Sequence, residues 1–128
     1  EGIGCAVLIR ALEPVKGIDL MKKRRPKAKN EIELANGPGK LAAAMAIGRE
    51  QYGFDLTDSP LMVKVADWGK RKSIAEKFGG VVQTTRIGLG KNPGASLPYR
   101  FYLRNHPCVS IRVKEAARVA KDGSERIK

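Results

Sequence analysis

An arginine follows a run of small and apolar residues near the start of the chain. The run has Ile3, Cys5, Val7 and Ile9 in one alternating set and Gly2, Gly4, Ala6 and Leu8 in the other. Because both sets are small or apolar, the pattern predicts a strand over residues 2–12 that is buried on both faces. A charged side chain at the end of such a strand, here Arg10, needs a partner or a polar cavity. We therefore expect the face that carries Leu8 and Arg10 to line a concave site; a salt bridge from Arg10 to Glu13 or Asp55 is the alternative.

A second candidate site is a glycine-rich turn that leads into a helix pattern. The turn is Asn36-Gly37-Pro38-Gly39-Lys40, and apolar residues at helical spacing follow it from Leu41 to Ile47. Free backbone N–H groups and the helix dipole favour an anion at such a helix start. The GxxxxGK[ST] spacing of a Walker motif is absent. The pattern alone leaves two interpretations open, a phosphate seat and an ordinary helix start.

The other chemistry-bearing residues do not form a catalytic set. Gly88, Gly90 and Gly94 have GxGxxxG spacing with no helix pattern after them, which argues against a dinucleotide site. Cys5 and Cys108 form no CxxC pair and His106 is the single histidine, so we expect free thiols in a reducing compartment and no metal site. No Ser/His/Asp or Cys/His nucleophile set is present, and nothing indicates a cofactor.

The charge of the chain indicates a polyanionic partner. It has 25 Lys and Arg against 13 Asp and Glu, a net charge of +12. Residues 1–30 carry eight basic and three acidic side chains, residues 31–60 carry two and five, and residues 81–128 carry ten and three. This layout is typical of a folded body with basic faces. The densest basic run, Lys22–Lys29, is either a solvated loop or a direct phosphate contact.

The elements that would position these residues are short and mixed. We predict helices over Leu20–Arg25, from Leu41 to Ile47, within Gly69–Gly80 and over Val113–Ala120, and further strands over Leu61–Val65, Val81–Leu89 and Arg100–Arg104. The fold class is therefore α+β, in one domain with about four strands. No apolar stretch reaches the length of about 18 residues that a membrane span needs, so we expect a soluble protein without a membrane partner.

Five blocks, taken together, resemble the alkyladenine (3-methyladenine, methylpurine) DNA glycosylase family. They occur in the order of the family and cover nearly the whole chain to about residue 111. The blocks are VLIRALEP at 7–14, ELANGPGKL at 33–41, Asp55-Leu56, TRIGLG at 85–90, and PYRFYLR at 98–104 with Pro107 and Ser110.

The resemblance implies a monofunctional glycosylase with one compact domain on a curved antiparallel sheet with short helices. Its partner would be double-stranded DNA with an alkylated or deaminated purine, bound in the minor groove. Such enzymes insert a tyrosine from a β-hairpin and flip the damaged base into a pocket, because the glycosidic carbon is out of reach inside the duplex. A glutamate then activates the water that attacks C1′.

The resemblance also assigns roles to particular residues. Arg10 matches the arginine that positions the water, and Ile87 matches the residue whose main-chain carbonyl helps to hold it. Leu8 would lie near the base pocket. The DNA-binding residues would be Asn36, Gly37, Gly39, Lys40 and Arg86.

One part of the family pattern has no match in this sequence. The catalytic glutamate, the pocket tyrosines and histidine, and the intercalating hairpin of the family precede the 7–14 block, and this chain starts nine residues before Arg10. We therefore expect residues 1–128 to be the C-terminal part of one glycosylase domain, marginally stable and inactive alone. Its partner would be the N-terminal half of the same domain, giving a monomer when complete.

The expected location is intracellular, in a bacterial cytoplasm or in a eukaryotic nucleus or organelle. The alternative function is a non-catalytic, basic nucleic-acid-binding protein, which would explain the charge but not the ordered blocks. A purely structural fragment would explain neither.

Overall fold

The computed structural model describes residues 4–112, so the predicted helix over residues 113–120 lies outside the described part. The chain divides into two compact units, Glu1–Lys64 and Val65–Lys128. Each unit has its own helices and its own small core, and each is described by itself.

The first unit is helical. Its elements are α1 (Ile18–Arg24), α2 (Ile32–Ala35), α3 (Pro38–Met45) and a 3-10 turn at Arg49–Gln51. Asp19 in the first turn of α1 and basic residues in its last turn match the helix dipole. The core of this unit is formed by α2 and α3, which bury Leu34, Ala35, Leu41 and Ala44.

The second unit combines a helix with a hairpin-like strand pair. Its elements are α4 (Trp68–Lys77), β1 (Val81–Thr84), a 3-10 turn at Pro93–Ser96 and β2 (Arg100–Leu103). β1 and β2 pair antiparallel, with Val81 opposite Leu103 and Thr84 opposite Arg100. Val82, His106 and Cys108 are buried, and the rings of Phe78 and His106 lie 4.3 Å apart. These contacts give the second unit its core.

The predicted strand over residues 2–12 is not observed in the described part of it. Residues 4–10 have no regular secondary structure and are exposed, and Val7 is 92% exposed. A backbone hydrogen bond from the N–H of Leu12 to the carbonyl of Ala35, 3.1 Å long, anchors the end of the segment. The prediction of a buried strand was wrong for this chain, because a strand needs hydrogen-bonded neighbours and no described segment pairs with this one.

The other strand predictions had mixed outcomes. Arg100–Arg104 is confirmed as β2, and the predicted Val81–Leu89 strand ends at Thr84, before the glycines that turn the chain. Leu61–Val65 forms no strand, although its alternating pattern predicted one. The described residues thus contain two strands, fewer than the four expected.

The fold class is nevertheless as predicted, a small α+β protein with a two-stranded antiparallel sheet and short helices. None of the helices in the described range is long and apolar enough to cross a membrane.

Candidate functional site

The structure brings the predicted phosphate seat together at the start of α3. Gly37 precedes the helix in an extended conformation, Pro38 occupies the first turn, and no side chain caps the helix. Pro38 has no N–H to satisfy, and its fixed φ suits the first helical position. The remaining N–H groups of a first helical turn lack intrahelical partners, which makes them available to an anion.

Lys40 and Asn36 lie side by side at this helix start. The Lys40 Nζ donates a hydrogen bond to the Asn36 Oδ1 at 2.9 Å, and the lysine is exposed. The Gly37 backbone lies close to the same lysine. A Cβ built on Gly37 would lie 3.7 Å from the Lys40 Cδ. The predicted residues Asn36, Gly37, Gly39 and Lys40 therefore form one positively charged surface, which we call the α3 entrance. Gly39 and Lys40 are exposed, and Asn36 and Gly37 are half-buried.

Part of the basic run next to α1 serves the fold. Arg24 donates to the carbonyl of Ala44 at 3.1 Å, and Arg25 donates to the carbonyls of Glu33 and Leu34. Both arginines thus satisfy carbonyl groups near the ends of α3 and α2, a role that sequence reasoning missed. The signal was present in the sequence, since arginine carries several donors and the ends of helices leave carbonyls without partners.

The lysines of the same run remain at the surface. Lys22 pairs with Glu31 at 2.9 Å, and this carboxylate raises the pKa of the lysine above its ordinary value. Lys23, Lys27 and Lys29 are exposed. The surface of the run is therefore positive, whereas its arginines are engaged in the fold.

Ile87, the residue predicted to offer its carbonyl to the water, lies in a loop shaped by glycines. Ile87 is 45% exposed, and Gly88 and Gly90, which follow it, have positive φ angles of 81° and 54°. Two backbone bonds close turns further along, from Asn92 N to the Leu89 carbonyl at 3.1 Å and from Ala95 N to the Asn92 carbonyl at 2.8 Å. The glycines are needed here because side chains are strained at positive φ.

Arg86 anchors this loop from inside. It is partly buried, and its Nη2 donates to the carbonyl of Gly94 at 3.0 Å. The Nε of Arg86 is buried without a hydrogen-bond partner in the described part of the protein. The family resemblance implies that Arg86 contacts DNA, and part of its guanidinium is hydrogen-bonded within the loop.

Leu8 and Arg10 lie in the extended segment of the first unit and are exposed. Ile87 and Arg86 belong to the second unit, so the two predicted water-binding groups come from different units. The roles that the sequence assigned to Arg10, Leu8 and Ile87 stay predictions.

The first unit also has an open depression that the sequence did not single out. Its lining residues are Ile47, Gly48, Arg49, Gln51, Tyr52 and Leu61. Cys5 is exposed and Cys108 is buried, and no disulfide joins them in the described part of the protein. Within residues 4–112, no cluster of three His, Cys, Asp or Glu side chains could hold a metal ion.

Comparison with known proteins gives this geometry a context. Residues 1–107 match the family model described as Methylpurine-DNA glycosylase (MPG). The chain is 49% identical over 105 residues to a protein of Carboxydothermus hydrogenoformans, covering 82% of this chain and 50% of that protein. It is 45% identical over 112 residues to a protein of Methanoculleus marisnigri, covering 88% of this chain and 55% of that protein.

Both relatives carry the name "Putative 3-methyladenine DNA glycosylase". The chain spans about half the length of the curated relatives it matches. The family model covers well over half of this sequence, and it includes Arg10, the α3 entrance and the Arg86–Gly90 loop. The chain belongs to the methylpurine-DNA glycosylase family, a family of DNA-repair enzymes.

Proposed function

We propose that these residues are part of a glycosylase that hydrolyses the N-glycosidic bond of alkylated or deaminated purines in duplex DNA. The observation that carries the proposal is the match over residues 1–107 to the methylpurine-DNA glycosylase family. The names of the relatives point to 3-methyladenine as one substrate of the group. Because the reacting C1′ is shielded within the stack, the damaged nucleotide would be flipped out before hydrolysis.

DNA would be held first through its phosphates. The α3 entrance offers an exposed ammonium beside free helix N–H groups, an arrangement that suits a phosphate oxygen. The net charge of +12 adds a long-range attraction to the polyanion. Neither feature reads base sequence, which suits an enzyme that must act wherever damage occurs.

Hydrolysis would use one bound water as the nucleophile. Arg10 would donate to this water, and the Ile87 carbonyl would accept from it, so the lone pair of the water would face C1′. A carboxylate would then take the proton as the C–O bond forms and the purine leaves. In the family that carboxylate belongs to a glutamate that precedes the 7–14 block. No segment of this sequence matches the one that carries that glutamate.

Residues 1–128 would therefore supply the second half of one curved-sheet domain, and the other half would supply the carboxylate and the pocket walls. Two observations support this division. The chain spans about half of each relative, and its segment before Pro14 exposes apolar side chains such as Val7 and Leu8. The 128 residues alone would bind DNA weakly and leave the glycosidic bond intact.

The test is an excision assay with the complete gene product and with the 128-residue chain. Each is mixed with duplex DNA that carries a single alkylated or deaminated purine, and abasic sites are cleaved afterwards. We expect strand breaks at the lesion with the complete product and none with undamaged duplex. Salt-sensitive DNA binding without base release would instead support a non-catalytic nucleic-acid-binding protein.

A further inference from the structure

The Arg86 side chain and Gly94 form a steric and hydrogen-bonded pair that closes the loop after β1. The loop leaves the strand at Thr84, passes Ile87, and returns toward β2 through the 3-10 turn at Pro93–Ser96. The bond from the Arg86 Nη2 to the Gly94 carbonyl, 3.0 Å long, joins the two arms of this loop. We call the pair the Arg86–Gly94 latch.

The fit of the latch depends on the absence of a side chain at residue 94. A Cβ built on Gly94 would lie 2.6 Å from the Arg86 Nη2, closer than real Cβ contacts. No positive φ is found at Gly94, so its conformation alone does not call for glycine. Glycine is therefore needed here for room, and the group that requires the room is the guanidinium.

The turn on the far side of the latch is itself well defined. The Asn92 Oδ1 accepts from the Gly94 N–H at 2.9 Å, and the Leu97 N–H donates to the Gly94 carbonyl at 3.3 Å. The Gly94 carbonyl therefore receives both a backbone donor and the arginine. The turn holds the guanidinium and so restrains the side chain of Arg86, and Ile87 is the residue that follows Arg86 in the chain.

We infer that Arg86 is a positioning residue, which holds the Ile87 carbonyl in place for the attacking water through its bond to Gly94. This inference rests on the proposed function, and it replaces a direct phosphate contact as the main role of Arg86. A guanidinium that is partly buried and already bonded to the loop is poorly placed to act as a simple surface charge. Small displacements of a reacting geometry are costly in rate, since a shift of about 1 Å can lower it by about 100-fold.

Two variants of the complete gene product break the latch from opposite sides. Arg86→Ala removes the donor, whereas Gly94→Ala keeps the positive charge and displaces the flexible end of Arg86. Because that end can move, Gly94→Ala should leave the rest of the turn folded. Gly48→Ala is the matched control, since its Cβ would meet its nearest neighbour at 4.0 Å.

Single-turnover excision, DNA affinity against salt, and amide exchange at Ala95 and Leu97 are the three measurements. We expect both latch variants to excise about 10- to 100-fold more slowly, with an unchanged salt slope of DNA binding. The double variant should be no slower than the worse single variant, because both substitutions remove one contact. Amide exchange at the two turn residues should accelerate in both variants and stay unchanged in the control.

The outcomes separate the inference from the function on which it rests. If Arg86→Ala lowers the salt slope by about one and Gly94→Ala behaves as wild type, Arg86 is a phosphate contact and the inference fails. Wild-type excision rates in both latch variants also overturn the inference alone. Absence of excision by the wild-type product overturns the proposed function and the inference together.

Discussion

At the scale of single residues, arginine and lysine have different tasks in this basic chain. Arg24, Arg25 and Arg86 donate to main-chain carbonyls, whereas the Nζ of Lys22 and of Lys40 bonds the side chains of Glu31 and Asn36 at the surface. The difference follows from the donors, because a planar guanidinium can serve several acceptors while it is partly buried, and an ammonium is strongly hydrated. The salt-dependent part of DNA binding should therefore come mainly from lysines.

The first prediction concerns Lys40 at the α3 entrance. Lys40→Ala in the complete gene product should reduce the magnitude of the log–log salt slope of duplex binding by about one, whatever base is in the pocket. Lys40→Arg keeps the charge and should keep the slope. Binding measured from low to moderate salt checks this, and an unchanged slope in Lys40→Ala would mean that the lysine contacts no phosphate.

The second prediction concerns the acidic turn at Asp55. Hydrogen bonds from the Thr57 side chain, at 2.6 Å, and from its backbone N–H, at 2.8 Å, lower the pKa of the Asp55 carboxyl. The charged carboxylate is the form that accepts them. The turn is therefore stabilised above the unfolded-state pKa, and this stabilisation is lost as pH falls through the lower folded pKa.

Carboxyl chemical shifts followed by NMR as the pH is lowered should give an Asp55 midpoint below its ordinary value of 3.8. Thr57→Val removes the hydroxyl donor and keeps the backbone one, so the midpoint should rise without reaching that value. A midpoint that is the same in both proteins would show that the hydroxyl does not hold the carboxylate.

At the scale of elements, the helices α1, α3 and α4 were predictable from the sequence, whereas two of the four predicted strands are not observed. The patterns for α1 and α4 contain their own start and stop signals. In α1 these are Asp19 in the first turn and Pro26 shortly after the last residue. Strands depend on partners that are distant in sequence. The same alternation forms β1, which pairs with β2, and leaves Leu61–Val65 without a described partner.

The candidate site divides in the same way. The α3 entrance was predictable because Asn36 to Lys40 are neighbours in the chain and the helix begins among them. The Arg86–Gly94 latch was not predictable from the sequence. The loop geometry, and not a residue type, decides which main-chain carbonyl accepts the hydrogen bond from the guanidinium. In the sequence, Gly94 stands out only as the last glycine of a GxGxxxG spacing, which does not suit a dinucleotide site.

The third prediction concerns the start of α4. The Asp67 Oδ1 accepts from the Lys70 N–H at 2.8 Å and so caps a helix that buries none of its residues. Asp67→Ala should therefore destabilise this helix by about 1 kcal/mol, because little packing compensates for a lost cap. Amide exchange within α4 measures the change. Asp67→Asn, which can still cap, should remain close to wild type, and equal protection in all three proteins would contradict the role of the cap.

At the scale of the whole molecule, each small core contrasts with several large apolar side chains that are exposed. Leu34 is fully buried, yet Val7, Val15 and Val65 are each more than 70% exposed. Where such side chains are contiguous, they usually mark a place where another part of a protein packs. The relatives that match this chain are about twice as long as the matched part, which supports the view that their other half covers this surface.

The last prediction tests that view by completing the domain. The 128-residue chain should bind a hydrophobic dye and unfold without a sharp transition, as loosely packed states do. A chimera would join it to the half of the Carboxydothermus hydrogenoformans relative that the alignment leaves uncovered. Dye binding should fall and cooperative unfolding should appear, because Val7 and Leu8 would gain strand neighbours and cover.

Excision should appear in the chimera together with the packing. A general base contributes about 100- to 10,000-fold to such a reaction, so under the proposed division, in which the added half supplies the carboxylate, the 128-residue chain should release no measurable base. The glutamates of the added half would then be replaced one at a time. A replacement that abolishes release while dye binding stays low would identify the proton acceptor. Base release by the 128-residue chain at the rate of the chimera would contradict the division, and would direct the search for the proton acceptor to Glu13 and Asp55.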